Sequence, residues 1–231
     1  MAASDVFPRG WSISTSTIGA GNAMEIRPAC PGIQHILTEV HARLLTPRAQ
    51  ASQAIASLTI PAVVTLGPST GVIYVVTDIY GSLTAVNNVT GWTGLYAEAI
   101  IPSHFYIGGI GVPADSAGNM YNGAGGSLSW SGKLVSSSGE QLQIGFVNGN
   151  QNNNVLQVVE VNYWSTNEFY PTLYGPDGST TLGILDQPDS GSVDTTGLVL
   201  SSGVGEALNI YTNFTPINGQ AFEVLALGYD I

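Results

Sequence analysis

The sequence predicts an all-β protein, built as an antiparallel jelly-roll-like β-sandwich with a smaller C-terminal β module. Three observations support this fold class. Apolar and polar residues alternate with a period of two in many short runs, these runs are enriched in β-branched and aromatic residues, and clusters of Gly, Pro, Asn and Ser separate them. The connections are long and uneven, which favours a jelly roll over an up-and-down barrel with its shorter and more regular turns.

Many segments of the chain carry this strand pattern. Only residues 47–57 lean towards helix, and because these Ala- and Gln-rich residues run into a β-branched stretch and a proline, a loop is equally open there. The segments predicted as strands are residues 34–45, 56–66, 72–77, 95–101, 105–110, 127–135, 141–147, 155–164, 197–201, 207–213 and 221–229.

Length and composition place the chain among folded globular proteins. It has 231 residues, of which 44% are hydrophobic, so the low hydrophobicity and high charge of disordered chains are absent. Charged residues make up only 9%, against about 25% in average soluble domains. A surface of Ser, Thr, Asn and Gly costs little side-chain entropy to order, which suits a protein that neighbours cover on several sides.

Charge is distributed unevenly along the chain. Residues 1–48 carry a net charge of +1, whereas residues 49–231 carry −12. This acidic body repels nucleic-acid phosphates and anionic lipids, so we expect neither nucleic acid nor membrane as a partner. The single cysteine, Cys30, excludes an intramolecular disulfide, and the first residues lack a secretory signal, so we expect folding and assembly in a cytoplasm.

Two parts of the chain resemble each other at an offset of 66 residues. Residues 139–144 (GEQLQI) match residues 205–210 (GEALNI), and the same offset relates residues 158–163 to 224–229. We interpret each copy as a hairpin, with a weaker third copy beginning at residues 21–26. The spacing of the copies is not constant, which indicates a sandwich of related sheet pieces rather than a solenoid.

These patterns divide the chain into an extended N-terminal arm (residues 1–19), a jelly-roll β-sandwich (residues 20–165) and a smaller β module (residues 166–231). The second boundary rests on the polar residues 165–167 and the Pro/Gly/Asp-rich stretch that follows. The arm contains an apolar and basic cluster and no periodic pattern of its own, so it is expected to bind a neighbouring copy. The residues of this candidate interface are Phe7, Arg9 and Trp11.

A long polar loop at residues 148–154 is a second candidate interface. Loop tips of this composition often contact partners, although an exposed turn without a partner is equally open. The residues concerned are Asn148, Asn150, Asn152 and Asn153.

No motif predicts a reaction, and we expect no catalytic residues, cofactor or metal. Residues 67–71 fit the G-x-S-x-G pattern of a nucleophile elbow, but the residues after them indicate a strand where that motif needs a helix, so we interpret them as a β-turn. The histidines His35, His41 and His104 lack the spacing of metal ligands. His35 and His41 are separated by an even number of residues in one predicted strand, so they are expected to face the same side.

Two weaker site interpretations stay open. Aspartates in polar loops supply the oxygen ligands that calcium takes, although they do not match the EF-hand pattern and solvated loops are favoured. Loop aromatics could stack on sugar rings, which supports an alternative function as a carbohydrate- or receptor-binding sandwich. The candidate oxygen ligands are Asp186, Asp189 and Asp194, with Asp115 and Asn119, and the aromatic candidates are Trp92, Tyr96 and Tyr121.

The segment Gly-Asn-x-Met-x-Ile-x-Pro-Ala-x-Pro-Gly at residues 21–32, the strand that follows it, and the final Leu227-Gly228-Tyr229 resemble jelly-roll capsid decoration (cement) proteins and related structural proteins of tailed bacteriophages. The resemblance covers about a third of the chain. It implies a non-enzymatic virion component, a homo-oligomer and most simply a trimer, that stabilises the head by binding the major capsid protein or other virion proteins. The module after residue 165 departs from a minimal decoration protein, so a fibre, collar or tail component stays open.

Overall fold

The structure, a computed structural model, describes residues 9–16, 22–55, 62–85, 95–100, 104–110, 125–147, 155–185 and 192–231. Every regular element in these ranges is a strand, and the strands pair antiparallel, which confirms the predicted all-β class. The described residues contain no helix long and apolar enough to cross a membrane.

The strands of the described residues are β1 (Arg9–Thr15), β2 (Ala23–Arg27), β3 (His35–Leu45), β4 (Ala49–Ile55), β5 (Val63–Leu66), β6 (Ile73–Ala85), β7 (Leu95–Ile100), β8 (His104–Ile110), β9 (Gly125–Val135), β10 (Leu142–Val147), β11 (Val155–Thr166), β12 (Thr172–Tyr174), β13 (Thr181–Ile184), β14 (Ser192–Thr195), β15 (Leu200–Ser201), β16 (Leu208–Thr212) and β17 (Ala221–Asp230).

The chain divides into two compact units. Residues 48–165 form one, which we term the inserted unit, and residues 1–47 together with 166–231 form the other, the split unit. The predicted division is therefore wrong for residues 20–47, because β3 pairs along its length with β17 at the far end of the chain. The boundary after residue 165 lies where the sequence analysis placed it.

Each unit consists of two sheets around its own apolar core. In the split unit the sheets have the orders β1-β17-β3-β14 and β13-β12-β16-β2, and β14 and β15 pair with successive parts of β3 as one interrupted strand. In the inserted unit the orders are β4-β11-β6-β9 and β5-β10-β7-β8. Fully buried core side chains include Met24, Leu37 and Phe222 in the split unit and Ile79, Leu83 and Leu142 in the inserted unit.

The two units have the same topology. When the described strands of each unit are counted in chain order, with β14 and β15 as one, both units place strands one, eight, three and six in one sheet and strands five, four, seven and two in the other. This is the strand order of an eight-stranded jelly roll. The chain therefore holds two jelly rolls, the second inserted between the third and fourth strands of the first.

The 66-residue repeat marks equivalent strands of these two jelly rolls, but its interpretation as a hairpin is wrong. β10 and β16 are seventh strands and β11 and β17 are eighth strands, and in each unit these two strands belong to different sheets. The offset also changes to 65 in the eighth strand, where buried residues 157, 159 and 161 correspond to 222, 224 and 226. A one-residue shift exchanges the faces of a strand, so a constant offset misplaces its core residues.

In both units the same hydrogen bonds join the start of the third strand to the loop that follows the sixth strand, and we term this contact the loop clasp. In the split unit the Ser202 N–H donates to the His35 carbonyl (3.0 Å) and the Ser202 hydroxyl accepts from the His35 N–H (3.2 Å). In the inserted unit Ser136 makes the same two contacts with Tyr74, each at 2.9 Å.

A glycine completes each loop clasp. The N–H of Gly205 donates to the Ile33 carbonyl (2.7 Å), and that of Gly139 donates to the Val72 carbonyl (2.9 Å). Both glycines have a positive φ, of 80° and 77°, which disfavours residues with a Cβ. The glycine of the Gly-Glu dipeptide that begins each copy of the repeat is thus a residue of this loop clasp.

Several strands lie where the sequence predicted something else. The arm prediction is wrong for residues 9–15, because β1 pairs with β17 of its own chain. Residues 49–55 of the segment interpreted as helix or loop form β4, which pairs with β11. The short strands β12 and β13 lie in the Pro/Gly/Asp-rich stretch of residues 170–191 and β14 directly follows it, and none of the three was predicted.

Candidate functional site

The predicted interface residues Arg9 and Trp11 lie on β1, an edge strand of the split unit. Their register places Arg9 opposite Asp230 and Trp11 opposite Gly228. The Trp11 ring packs against the core, and the Arg27 guanidinium carbon lies 5.7 Å from the ring centroid, within cation–π range. The Trp11 ring thus stabilises its own chain. The outer edge of β1 has no partner among the described strands.

Asp230 contacts two basic side chains beside this edge, Arg27 and His35. Its carboxylate accepts from Arg27 Nη2 (2.7 Å) and contacts His35 Nδ1 (2.7 Å). The other ring nitrogen of the buried His35 lies 3.0 Å from the Pro28 carbonyl. We term Arg9, Trp11, Arg27, His35 and Asp230 the edge cluster.

The edge cluster keeps Asp230 ionised. Burial raises the pKa of this carboxyl, but the hydrogen bonds and positive charges of His35 and Arg27 outweigh burial and hold the pKa below its usual value. The carboxylate is therefore charged at neutral pH and attracts the Arg27 guanidinium at this end of the sheet.

Two hydrogen-bond donors of the edge cluster are buried without an acceptor among the described residues, Trp11 Nε1 and Arg27 Nε. Other atoms of Trp11 and Arg27 line a cavity of about 620 Å³ together with Arg9 and Asp230. The unpaired backbone groups of the free β1 edge fit an extended segment of a neighbouring chain.

The outer face of the β1-β17-β3-β14 sheet carries paired charges, and we term it the split-unit face. His41 Nδ1 lies 2.8 Å from Asp194 and Nε2 lies 3.6 Å from Glu39. The hydrogen bond to Asp194 is the main reason that the pKa of His41 is raised. Arg43 pairs with Glu223 on the neighbouring strand, so cations and anions of this face neutralise one another.

The equivalent face of the β4-β11-β6-β9 sheet, the inserted-unit face, is different. It has a hollow of about 250 Å³ whose polar lining combines an exposed aromatic ring, two carboxylates, two amides and two hydroxyls. Hydrogen bonds from Ser131 (2.8 Å) and Thr77 (2.9 Å) lower the pKa of Asp78. The polar side chains lining the hollow are Gln50, Asp78, Tyr80, Ser129, Ser131, Glu160 and Asn162.

Several predicted sites lie outside the described residues. Phe7 and the polar loop with Asn148, Asn150, Asn152 and Asn153 belong to this group, as do Asp115, Asn119, Asp186, Asp189, Trp92 and Tyr121.

Residues 67–71 form the connection between β5 and β6, as expected for a turn rather than a nucleophile elbow. Ser69 accepts a hydrogen bond from the Tyr74 hydroxyl (3.1 Å). Asp194 lies on β14 beside His41, and in the described part of the chain no three or more His, Cys, Asp or Glu side chains are placed so that they could hold a metal ion.

The expectation that His35 and His41 face the same side is wrong. β3 has an irregularity at Thr38, where the pairing with β17 shifts register. The Thr38 hydroxyl donates to the Leu227 carbonyl (3.1 Å) at this point. A bulge of this kind changes the phase of the side chains, so His35 is buried in the edge cluster and His41 lies on the outer face.

Asp230, Tyr80 and Glu160 were not singled out by the sequence analysis. Tyr80 lies beyond residue 77, where the predicted strand ended, because the irregularity in β6 after Val76 interrupts the alternation. Asp230 follows the last predicted strand directly, and no local signal relates it to Arg27 and His35 some 200 residues away.

Comparisons with known proteins add little to this geometry. No family model matches the chain, and no curated protein matches it. Two solved structures of infectious bursal disease virus are similar over the whole chain: the Gx strain at 8% identity with a TM-score of 0.18, and the Gt strain at 9% with 0.14. The chain spans about 44% of the length of the first and 43% of the second. TM-scores this low establish neither a shared fold nor a shared function.

Proposed function

We propose that the protein is a non-enzymatic structural component of a virion, and that it acts as a decoration or cement protein on a bacteriophage head. The observation that carries the proposal is the pair of jelly rolls with one strand order, since this architecture recurs in viral capsid proteins. The small number of charged residues supports it, because such surfaces lose little side-chain entropy when neighbours cover them.

The edge cluster supplies a contact with neighbouring virion chains, either the major capsid protein or a second copy. β1 ends its sheet among the described strands, and beyond Arg9 it carries Ser and Thr rather than the Lys or Pro that block unwanted pairing. The proposed assembly is a trimer, which corresponds to three chains of 24.0 kDa each.

Quantitative mass spectrometry of purified particles tests the virion role. A decoration protein is recovered at a fixed ratio to the major capsid protein and stays with the particle through a density gradient. Recovery of the chain only outside the particle fraction would overturn the proposal.

Lysine substitutions on β1 test the contact. Ser12 and Ser14 are exposed, so Ser12→Lys with Ser14→Lys adds charge to the edge without removing core contacts. We expect the double variant to remain folded and to lose binding to particles and to other copies, measured by co-sedimentation and light scattering. Ser201→Lys, at an exposed residue of β15, is the matched control and should bind normally.

A further inference from the structure

The two jelly rolls provide an internal comparison, because the same strands form the outer face of each. The cross-strand neighbours His41 and Asp194 of the split unit correspond to Tyr80 and Ser129 of the inserted unit. On the split-unit face the charged side chains form ion pairs with one another. On the inserted-unit face Asp78 is hydrogen-bonded to Ser131, Thr77 and Asn162 and is attracted by the charge of Arg48, so the groups open to a ligand are those outside this network.

Three side chains on the inserted-unit face have no hydrogen bond to another described side chain: Gln50, Tyr80 and Glu160. Tyr80 is 43% exposed, although it lies on β6, one of the two inner strands of its four-stranded sheet. Asn162 lies opposite Gln50 across β11 and β4, so two amides border the same hollow. The hollow therefore combines an aromatic surface with acceptors and amide donors that converge on it.

We propose that this hollow binds an uncharged sugar residue of a glycan. One face of a pyranose ring carries C–H groups that pack against an aromatic ring, which Tyr80 offers, and the negative face of the aromatic ring favours such contacts. The sugar hydroxyls donate to Glu160 and exchange hydrogen bonds with the amides of Gln50 and Asn162. This inference does not depend on the virion role.

The charges of the hollow select against acidic sugars. Glu160 and Asp78 both line it, and a sialylated or sulfated glycan would bring its anion close to two carboxylates. The inserted unit also has a net charge of −3 over residues 48–165. The expected ligand is a neutral hexose or N-acetylhexosamine at an accessible position of a glycan.

A glycan array with neutral, sialylated and sulfated glycans tests this proposal on the full chain, followed by titration calorimetry with the best neutral glycan. We expect binding to neutral glycans, weakened about tenfold by Tyr80→Ala, which corresponds to the loss of one aromatic contact. Glu160→Gln should weaken binding as well, because it removes a charged acceptor.

Tyr170→Ala is the matched control, since Tyr170 is 60% exposed but lies in the split unit. Circular dichroism checks that each variant folds. The proposal is overturned if the array shows no neutral glycan bound, if acidic glycans bind best, or if Tyr170→Ala and Tyr80→Ala have the same effect.

Discussion

At the scale of single residues, Gly228 shows how close packing fixes the chemistry of a position. It lies opposite Trp11 and next to the irregularity of β3 at Thr38, and a Cβ there would overlap the Ile36 carbonyl and the Trp11 ring. We expect Gly228→Ala to lower the free energy of unfolding by about 2–3 kcal/mol, as overpacking does. Urea denaturation measures this difference.

Gly10 provides the control for this prediction. It lies next to Trp11 on β1, yet an added Cβ there would have its nearest neighbour 3.9 Å away. Gly10→Ala should therefore be close to neutral. An equal decrease in the free energy of unfolding for the two variants would show that the backbone of β1, rather than the space above Gly228, limits the packing.

Asp230 makes the stability of the split unit depend on pH. Its pKa is lowered in the folded chain from an ordinary value of 3.8, so its contribution is complete above that value and is lost as the pH falls through the lower folded pKa. Asp230→Asn should cost about 2 kcal/mol at pH 7, through the loss of two charge-assisted hydrogen bonds. It should also reduce the fall in stability below pH 4.

Thermal unfolding between pH 2.5 and 7 tests this prediction. Glu25→Gln, at an exposed carboxylate on β2, is the control and should follow the wild-type pH profile. An Asp230→Asn profile parallel to that of the wild type would contradict the role assigned to the edge cluster.

At the scale of elements, the loop clasp is a feature that both jelly rolls share. Ser136→Ala and Ser202→Ala each remove the acceptor of a backbone N–H, that of Tyr74 or His35. We expect each to lower the free energy of unfolding of its unit by about 1–2 kcal/mol.

Ser137→Ala is the control for the loop clasp, because Ser137 is exposed and takes part through its backbone carbonyl alone. Chemical denaturation of the three variants, followed by a probe in each unit, gives the comparison. A neutral effect of either Ser136→Ala or Ser202→Ala would show that the two clasps are not energetically equivalent.

Strands with one face that is apolar over many residues could be predicted from the sequence. β3, β10, β11 and β17 were predicted near their observed bounds because their alternation is strong. β1 and β4 were not, since their exposed faces carry Ser, Gln and Ala and their inner faces are only partly buried. In β3 and β6, irregularities interrupt the alternation, which explains both the misplaced histidine and the missed Tyr80.

At the scale of the whole molecule, the insertion of one jelly roll into another could not be predicted from local patterns. Arg43 and Glu223 are neighbours across β3 and β17 but lie 180 residues apart in the sequence. Alternation specifies which face of a strand is buried, and leaves open which distant strand pairs with it. Arg9 and Trp11 were therefore predicted as interface candidates, whereas their neighbour Asp230 was not.

The division into two units predicts how fragments behave. Ala49 and Tyr163 pair across β4 and β11, so the two ends of the inserted unit are adjacent. A fragment of residues 48–165 should show a β-type circular dichroism spectrum and unfold cooperatively, because it retains its whole core.

A fragment of residues 20–165 is the informative comparison. It retains β2 and β3 but lacks their partners β16 and β17, so it exposes apolar core residues and should aggregate more readily than the shorter fragment. If residues 20–165 form the better-behaved fragment, the assignment of β2 and β3 to the split unit is wrong.

The most direct test of the proposed virion role is a cryo-electron microscopy reconstruction of particles that contain the chain. We expect density for two eight-stranded jelly rolls per copy on the head surface, with the β1 edge in contact with a capsid chain or a second copy. Particles whose surface density accommodates no such pair of jelly rolls would contradict it.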